Sequence, residues 1–329
     1  MTIQSHACIL LLILFSSCMD MNEEILPPGT GSTGDVLVVM DSTMWAGESG
    51  RAIMSCFAAT QDGLPQREPY FNVIRVTPDN FAQLFKTTKN IILLEANKKH
   101  VPSKYGFQKN AWAKNQLVLT LFAKGDKTAG AIINNNCELL RDRFRNEEYK
   151  RLIHAYKSLQ DQSVTSQVEE VCGMSLHFPS DYTIARKEDD QIWLRKDFQH
   201  QGHQINMGLI IYTKPYYSQE QFNTDSLVAL RNEITKMVEG PNQGSYMTSY
   251  AEFPPISKEL EINGKYVKEI RGLWNMKGAF MGGPFVQYTY TDTSGKAIIY
   301  IDCYVFAPKF DKREYLRELE AIALSALTI

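Results

Sequence analysis

A run of five consecutive apolar residues at 36–40 (Val-Leu-Val-Val-Met) constrains the fold more than any other feature of the sequence. Such an unbroken run is typical of a strand buried on both faces, which requires a layer of structure on each side of its sheet. Further strands are predicted at 71–76, 91–94 and 116–122, and helices at 48–59 and 127–159. Strands that alternate with helices in this way predict an α/β layered domain over residues 35–160.

The second half of the chain is richer in strands. We predict them at 182–186, 191–198, 205–212, 246–253, 265–274, 285–291 and 297–306. Ser218 with Gln221, and Asp311 with Glu314, have the spacing of a capping box and predict the starts of two helices. We therefore expect an antiparallel sheet with helices packed on it, an α+β domain over residues 171–329. The domain boundary is placed in the polar, aperiodic segment 158–170, and the fold class of the whole chain is α+β.

Length and charge agree with a globular protein of two domains. The chain has 329 residues, of which 44% are apolar and 22% are charged. This length corresponds to about two domains of ordinary size, each able to bury its own core. The 35 basic and 37 acidic residues leave a net charge of −2, which provides no general attraction to nucleic acid. We therefore expect no nucleic-acid partner.

The N-terminus has the pattern of an export signal. Residues 7–15 are uniformly apolar, a stretch too short to span a bilayer but typical of a signal-peptide core. Ser-Ser-Cys follows at 16–18 and resembles a bacterial lipobox, although Phe15 replaces the usual Leu and no Lys or Arg precedes the apolar run. We predict a signal peptide at 1–17, a lipidated Cys18 and a polar tether over 18–34. The alternative is an uncleaved anchor. The expected location is the cell envelope, in the outer membrane, with the leaflet left open.

The remaining cysteines have no diagnostic spacing. Cys56, Cys137, Cys172 and Cys303 allow three full pairings, and their separations match no metal or redox motif. Export permits disulfides, but dispersed cysteines at apolar positions are more often buried free thiols. We therefore interpret all four as free thiols.

Known catalytic and cofactor motifs are either absent or out of context. Gly29, Gly31 and Gly34 match the letters of the dinucleotide fingerprint, but a strand follows them where one should precede them, so the segment is interpreted as linker. His200 and His203 flank Gly202 between two predicted strands and are interpreted as a polar hairpin tip rather than a metal pair. We expect no cofactor and no metal, and we assign no catalytic residue.

One cluster in the second half has the composition of a contact surface. Glycine inside a strand is costly unless another backbone or a ligand approaches closely, whereas exposed aromatic, Met and Arg side chains suit a peptide or sugar-bearing ligand. The alternative is that the same residues form a tight turn and fill the core. The predicted contact residues are Tyr246, Arg271, Trp274, Met281, Gly282 and Gly283.

Several short motifs together resemble a known family. They are Gly-Asp-Val-Leu-Val-Val-Met (34–40), Gly-Leu-Pro-Gln (63–66), Phe-Asn-Val (71–73), Gly-Ser-Tyr-Met (244–247), Arg-Gly-Leu-Trp (271–274), Met-Gly-Gly-Pro-Phe (281–285) and Val-Phe-Ala-Pro (305–308) with Lys-Arg at 312–313. Their order resembles the domain-of-unknown-function family 4837, a family of envelope lipoproteins from Bacteroidota, over nearly the whole mature chain. The chain has Cys303 where the family favours Gly, which we expect to affect packing alone. The resemblance implies a lipid-anchored envelope protein and implies no activity.

These observations predict a binding or assembly module rather than an enzyme. Its expected partners are the membrane, through the lipid anchor, and an envelope protein, peptide or glycan. The alternative is an envelope hydrolase acting on peptide or glycan with a site assembled in the C-terminal domain, for which Glu252, Asp292 and Asp302 are the candidate carboxylates.

Overall fold

The structure is a computed structural model that describes residues 26–96 and 102–327. The predicted signal peptide and Cys18 lie outside the described residues. The chain folds into an N-terminal and a C-terminal domain, and the predicted α+β class is confirmed. No helix among the described residues combines the length and the apolar character needed to cross a bilayer.

The N-terminal sheet has five strands in the order β2-β1-β3-β5-β4, and all but β4 are parallel. Its strands are β1 (Asp35–Val39), β2 (Asn72–Val76), β3 (Asn90–Ala96), β4 (Lys104–Lys109) and β5 (Leu117–Ala123). Its helices are α1 (Ser42–Ala46), α2 (Glu48–Phe57), α3 (Gln83–Lys86), α4 (Asp126–Asn135) and α5 (Cys137–Leu159). The strand predicted from the apolar run is central and buried on both faces. The helix predicted over 127–159 is two helices, interrupted at Asn136.

The C-terminal sheet is antiparallel, in the order β10-β11-β12-β13-β8-β7-β6, and β9 pairs with the far end of β11. Its strands are β6 (Thr183–Lys187), β7 (Gln191–His200), β8 (His203–Pro215), β9 (Tyr246–Ser249), β10 (Ile256–Ile262), β11 (Lys265–Lys277), β12 (Gly282–Thr291) and β13 (Ala297–Phe306). Its helices are α6 (Gln162–Cys172), α7 (Thr224–Ile234) and α8 (Arg313–Ser325). Helices α6 and α8 pack on one face of the sheet, and α7 packs on the other.

Two predictions about this half need correction, and one strand was missed. The segment 158–170, interpreted as aperiodic, contains most of α6, whose Val164, Val168 and Cys172 are buried at helical spacing. Strand β10 was not predicted. The capping box of Asp311 and Glu314 is also wrong, because α8 begins later and its first N–H groups are bound by a residue of the other domain.

Helix α5 joins the two domains by contributing to both cores. Its first half places Leu140 and Phe144 in the N-terminal core. Its second half places Tyr149 and Tyr156 in the C-terminal core, against α8. A single rigid helix therefore holds the domains against each other.

Two of the four cysteines form a disulfide. Cys56 in α2 is bonded to Cys137 at the start of α5, with 5.5 Å between their Cα atoms. The interpretation of these two residues as free thiols was wrong, because folding brings together helices that are far apart in sequence. Cys172 and Cys303 are free and buried.

The second part of the predicted tether is attached to the N-terminal domain. The N–H of Lys114 donates to the carbonyl of Pro27 at 2.8 Å, and the N–H of Thr30 donates to the carbonyl of Thr87 at 2.8 Å. The N–H of Lys89 in turn donates to the carbonyl of Thr30 at 2.9 Å. The chain is therefore fixed from Pro27 onwards, and the predicted tether over 18–34 is correspondingly shorter.

Candidate functional site

Trp274 lies in β11 and is almost fully buried. Only 2% of its surface is exposed, and its indole N–H donates to the carbonyl of Val305 at 3.2 Å. That carbonyl lies just beyond Phe285 and Tyr304, the end pair of the β12–β13 ladder. The indole therefore binds the backbone of β13 close to the start of β12, and Trp274 also lines the pocket described below.

The two glycines at the start of β12 allow close contacts between backbones. A Cβ atom on Gly283 would lie 2.0 Å from the carbonyl oxygen of Val305, and one on Gly282 would lie 2.8 Å from that of Trp274. Any larger residue at either position would push β12 away from its neighbours. These glycines are thus required by the fold as well as lining the pocket.

Arg271 is enclosed in a buried ion-pair network and does not face solvent. It donates two hydrogen bonds to the carboxylate of Glu269, at 2.7 and 2.9 Å, and one to the hydroxyl of Tyr288 at 3.3 Å. It also pairs with Glu320 of α8, which accepts a hydrogen bond from Tyr149 of α5. Burial by itself would raise the pKa of Glu269, but Arg271 outweighs it and lowers that pKa from the ordinary 4.5 to about 2.

Three of the motifs that carry the family resemblance meet at the domain interface. Gly63, at a φ of +77°, lies so close to β11 that a Cβ atom there would be 2.9 Å from the Cβ of Arg271. The side chain of Gln66 accepts a hydrogen bond from the Lys312 ammonium at 2.5 Å. The Gly-Leu-Pro-Gln, Arg-Gly-Leu-Trp and Lys-Arg motifs therefore form one contact between the domains.

An apolar pocket of about 510 Å³ opens beside Met281 and Gly282, and we call it the Phe280 pocket. Phe280 stands at its rim with its side chain fully exposed. Its other walls are formed by Pro65 of the N-terminal domain and by Tyr250, Leu273, Trp274, Asn275, Met276, Ala279, Gly283, Phe306 and Pro308. Both domains thus contribute to the pocket.

One buried polar atom in this pocket lacks a partner within the described part of the chain. The side-chain oxygen of Asn275 is buried and accepts no hydrogen bond there. An unsatisfied buried acceptor is rare, because it has lost its water without replacing it.

Tyr246 does not reach the pocket. It lies at the start of β9, paired with Lys277, whose ammonium is 5.7 Å from the centre of the tyrosine ring. Of the predicted contact residues, Met281, Gly282, Gly283 and Trp274 line the pocket, and Arg271 and Tyr246 do not. The role of all six as contact residues stays a prediction. Phe280 and Asn275 were missed, although an aromatic residue in the Gly278-containing turn between two strands was a usable signal.

The candidate carboxylates of the hydrolase alternative have separate partners. Asp302 is fully buried and paired with Arg231 at 2.6 Å. Asp292 accepts hydrogen bonds from the N–H groups of its own hairpin loop, including that of Ala297 at 3.0 Å. Glu252 is exposed and accepts from the hydroxyl of Tyr250 at 3.2 Å. None of these contacts brings two of the carboxylates to one place.

The two histidines lie at a hairpin tip, as predicted. His200 pairs with His203 across the turn between β7 and β8. Both rings pack edge to face against Phe310, with 4.6 Å between ring centres for His200 and 5.9 Å for His203. Within residues 26–96 and 102–327, no three His, Cys, Asp or Glu side chains come together in a way that could hold a metal ion.

Two family profiles divide the chain. Residues 161–325 match the domain of unknown function DUF4837, and residues 29–157 match the domain of unknown function DUF8532. The chain belongs to the DUF4837 family. The expectation that this one family covers nearly the whole chain is corrected, because the N-terminal domain matches a separate profile.

Likeness to solved structures is distant. A protein from Bacteroides thetaiotaomicron aligns at 9% identity with a TM-score of 0.24, covering 45% of this chain and 43% of that one, so under half of that protein's length is matched. A point mutant of the protein Mog1 aligns at 12% identity and a TM-score of 0.29, covering 48% of this chain and 90% of the other. LpqN, described as involved in cell envelope biogenesis of Mycobacterium tuberculosis, aligns at 10% identity and a TM-score of 0.27, covering 45% and 78%. A search of curated proteins finds no significant match.

Proposed function

We propose that this protein is a lipid-anchored cell-envelope protein that binds an apolar peptide segment of an envelope partner without catalysis. The observation that carries the proposal is the Phe280 pocket, where a fully exposed aromatic ring borders an apolar cavity that contains one unsatisfied acceptor. Large apolar side chains exposed at the edge of a concave site are the usual anchors of protein recognition.

The chemistry of the lining favours a peptide over a glycan. Sugars are recognised through many polar groups, whereas the side chains around this pocket are almost all aromatic, Met, Leu or Pro. Asn275 offers a single acceptor, which suits one backbone N–H of a peptide whose apolar side chain fills the cavity. The volume of about 510 Å³ is sufficient for one or two large side chains.

The position of the pocket favours a rigid binding site. Pro65 comes from the N-terminal domain, while Met281 and Pro308 come from the C-terminal domain. The domains are held together by α5 and by the motifs at their interface. A pocket with fixed walls loses little conformational entropy on binding, and this increases affinity.

Two observations support the envelope location. The sequence begins with a signal-peptide pattern and a cysteine in lipobox context. The Cys56–Cys137 disulfide is of the kind that persists outside the reducing cytosol. The outer membrane is the proposed site of anchoring, with the lipid on Cys18.

Photo-crosslinking in intact cells tests the peptide-binding role. A photoreactive phenylalanine replaces Phe280 in one variant and Tyr217, an exposed residue of the same domain, in the control. We expect a discrete protein adduct at position 280 that is absent at 217. Peptides from the captured partner should bind the purified protein, and Met281→Asp should weaken that binding at least about tenfold because it places a charge in the pocket. Equal crosslinking at both positions, or binding unaffected by Met281→Asp, would refute the proposal.

A further inference from the structure

The N-terminal domain also carries an exposed large apolar side chain, that of Leu84, which is distant in sequence from the Phe280 pocket. Leu84, in the short helix α3, is 77% exposed. Lys86 ends the same helix, and Lys114 is exposed on the neighbouring loop. We call these three residues, with the aromatic pair Phe81 and Trp112, the Leu84 surface.

Gln116 holds the parts of this surface together. Its side-chain amide donates to the carbonyl of Lys86 at 2.6 Å, and its side-chain oxygen accepts from the N–H of Trp112 at 2.9 Å. The rings of Phe81 and Trp112 contact each other edge to face, with 5.9 Å between their centres. Helix α3 and the loop that carries Lys114 therefore form one fixed surface.

The N-terminal segment leaves the domain beside this surface. The hydroxyls of Thr30 and Thr87 are 3.0 Å apart, and the Thr87 hydroxyl also donates to the carbonyl of Leu84 at 3.0 Å. The Lys89 ammonium donates to the carbonyl of Gly31 at 3.1 Å. Since the carbonyl of Pro27 accepts a hydrogen bond from the N–H of Lys114, the chain towards Cys18 starts at the edge of the Leu84 surface.

The remaining length of chain limits how far this surface can be from the lipid. Nine residue steps separate Cys18 from Pro27, which even fully extended span only roughly 30 Å. If Cys18 is acylated, as the proposed function requires, the Leu84 surface is held next to the bilayer at a high effective concentration.

We infer that the Leu84 surface docks on the bilayer in which Cys18 is anchored. Leu inserts at the headgroup boundary, aromatic rings lie at that level and lysines approach anionic headgroups, which is the composition found here. Among the ion pairs of the described residues, none involves Lys86 or Lys114. Asp79 precedes the surface, and the linker contains Asp20, Glu23 and Glu24, so charge alone is insufficient and Leu84 provides the insertion. Docking would fix the orientation of the whole protein on the membrane.

The test measures the depth of two labelled positions in the lipidated full-length chain. A fluorophore is attached at Leu84→Cys or, as the control, at Tyr217→Cys; the other cysteines of the described residues are buried or bonded and do not compete. Each protein is reconstituted in vesicles of phosphatidylcholine and phosphatidylglycerol that contain a nitroxide-labelled lipid. We expect several-fold stronger quenching at 84 than at 217. Lys86→Glu with Lys114→Glu should reduce quenching at 84, whereas Lys236→Glu should leave it unchanged.

Mass spectrometry of the same samples separates this inference from the proposed function. Equal quenching at both positions in a chain that carries acyl groups on Cys18 overturns the docking inference and leaves the lipid anchor intact. A chain without acyl groups refutes the anchor. Because the docking inference rests on the tether to Cys18, that result overturns it as well.

Discussion

The carboxylate of Glu68 accepts a 2.7 Å hydrogen bond from the backbone N–H of Arg313, so a residue of the N-terminal domain caps the last helix of the C-terminal domain. The same carboxylate accepts the N–H of Lys312 at 2.8 Å. Glu68 is only 3% exposed, and its negative charge faces the positive end of the helix dipole. The domain interface and the start of α8 are thus stabilised by one side chain.

Replacing Glu68 should destabilise the whole protein. In Glu68→Ala the first N–H groups of α8 remain buried without an acceptor, which costs about 1–3 kcal/mol of the free energy of unfolding. Urea denaturation followed by circular dichroism measures the change. Glu252→Ala is the matched control, because Glu252 is exposed, and we expect it to have no measurable effect. A Glu68→Ala protein as stable as the parent would show that the cap is dispensable.

Glu269 should make stability dependent on pH in the acid range. Its pKa is about 2 in the folded protein and lies near the ordinary 4.5 once the chain is unfolded. Because the pKa of Glu269 is lower in the folded protein, its carboxylate contributes fully to the free energy of unfolding at pH values above the unfolded-state pKa. This contribution is lost as the pH falls towards the folded-state pKa. This contribution is on the order of 3 kcal/mol.

Urea denaturation at a series of pH values measures this dependence. In Glu269→Gln we expect lower stability at neutral pH and a shallower loss between about pH 5 and pH 2. Glu259→Gln, on the exposed side of the neighbouring strand, should keep the slope of the parent. An unchanged slope in Glu269→Gln would mean that the Arg271 pair does not depress this pKa.

Removal of the Cys56–Cys137 disulfide should lower stability by releasing a long loop. The two cysteines are separated by 81 residues, and closing a loop of this size in the unfolded chain corresponds to about 4.5 kcal/mol in the chain-entropy model. The double variant Cys56→Ser with Cys137→Ser is compared with the parent by urea denaturation, with and without reductant. The reduced parent should match the double variant. Quantitative alkylation of Cys56 in the unreduced, denatured parent would show that the bond is absent.

We expect Trp274 to contribute mainly to the stability of the fold and Met281 mainly to binding of the partner peptide. Trp274→Phe removes the donor for the Val305 carbonyl and should reduce stability by about 1–3 kcal/mol. Met281→Ala removes part of the pocket wall and should weaken binding of the partner peptide while changing stability by less. Thermal denaturation and peptide titration on both variants separate the roles. A Trp274→Phe protein that is stable but no longer binds would make Trp274 a contact residue, as the sequence predicts.

Local patterns were sufficient for most of the fold. The apolar run at 36–40 identified an interior strand because such a run is typical of a strand buried on both faces. The capping box of Ser218 and Gln221 is present, but it opens a one-turn 3-10 helix over Gln219–Phe222. The predicted longer helix begins after it as α7, with Asn223 as its N-cap. Helix α6 was missed because its three buried apolar residues are spread among polar ones, and the packing that stabilises it comes from the sheet.

The sequence by itself determined the class of each domain and the positions of most strands along the chain, because these depend on neighbouring residues. Export and acylation stay predictions from the pattern at residues 7–18. Only the tertiary structure decided that Cys56 meets Cys137, that Glu68 caps α8 and that Arg271 is buried against Glu269 and Glu320. It also placed Pro65 and Phe280 at one pocket and the N-terminal segment beside Leu84. These contacts join residues that are far apart along the chain, and no local spacing encodes which distant surfaces will pack together.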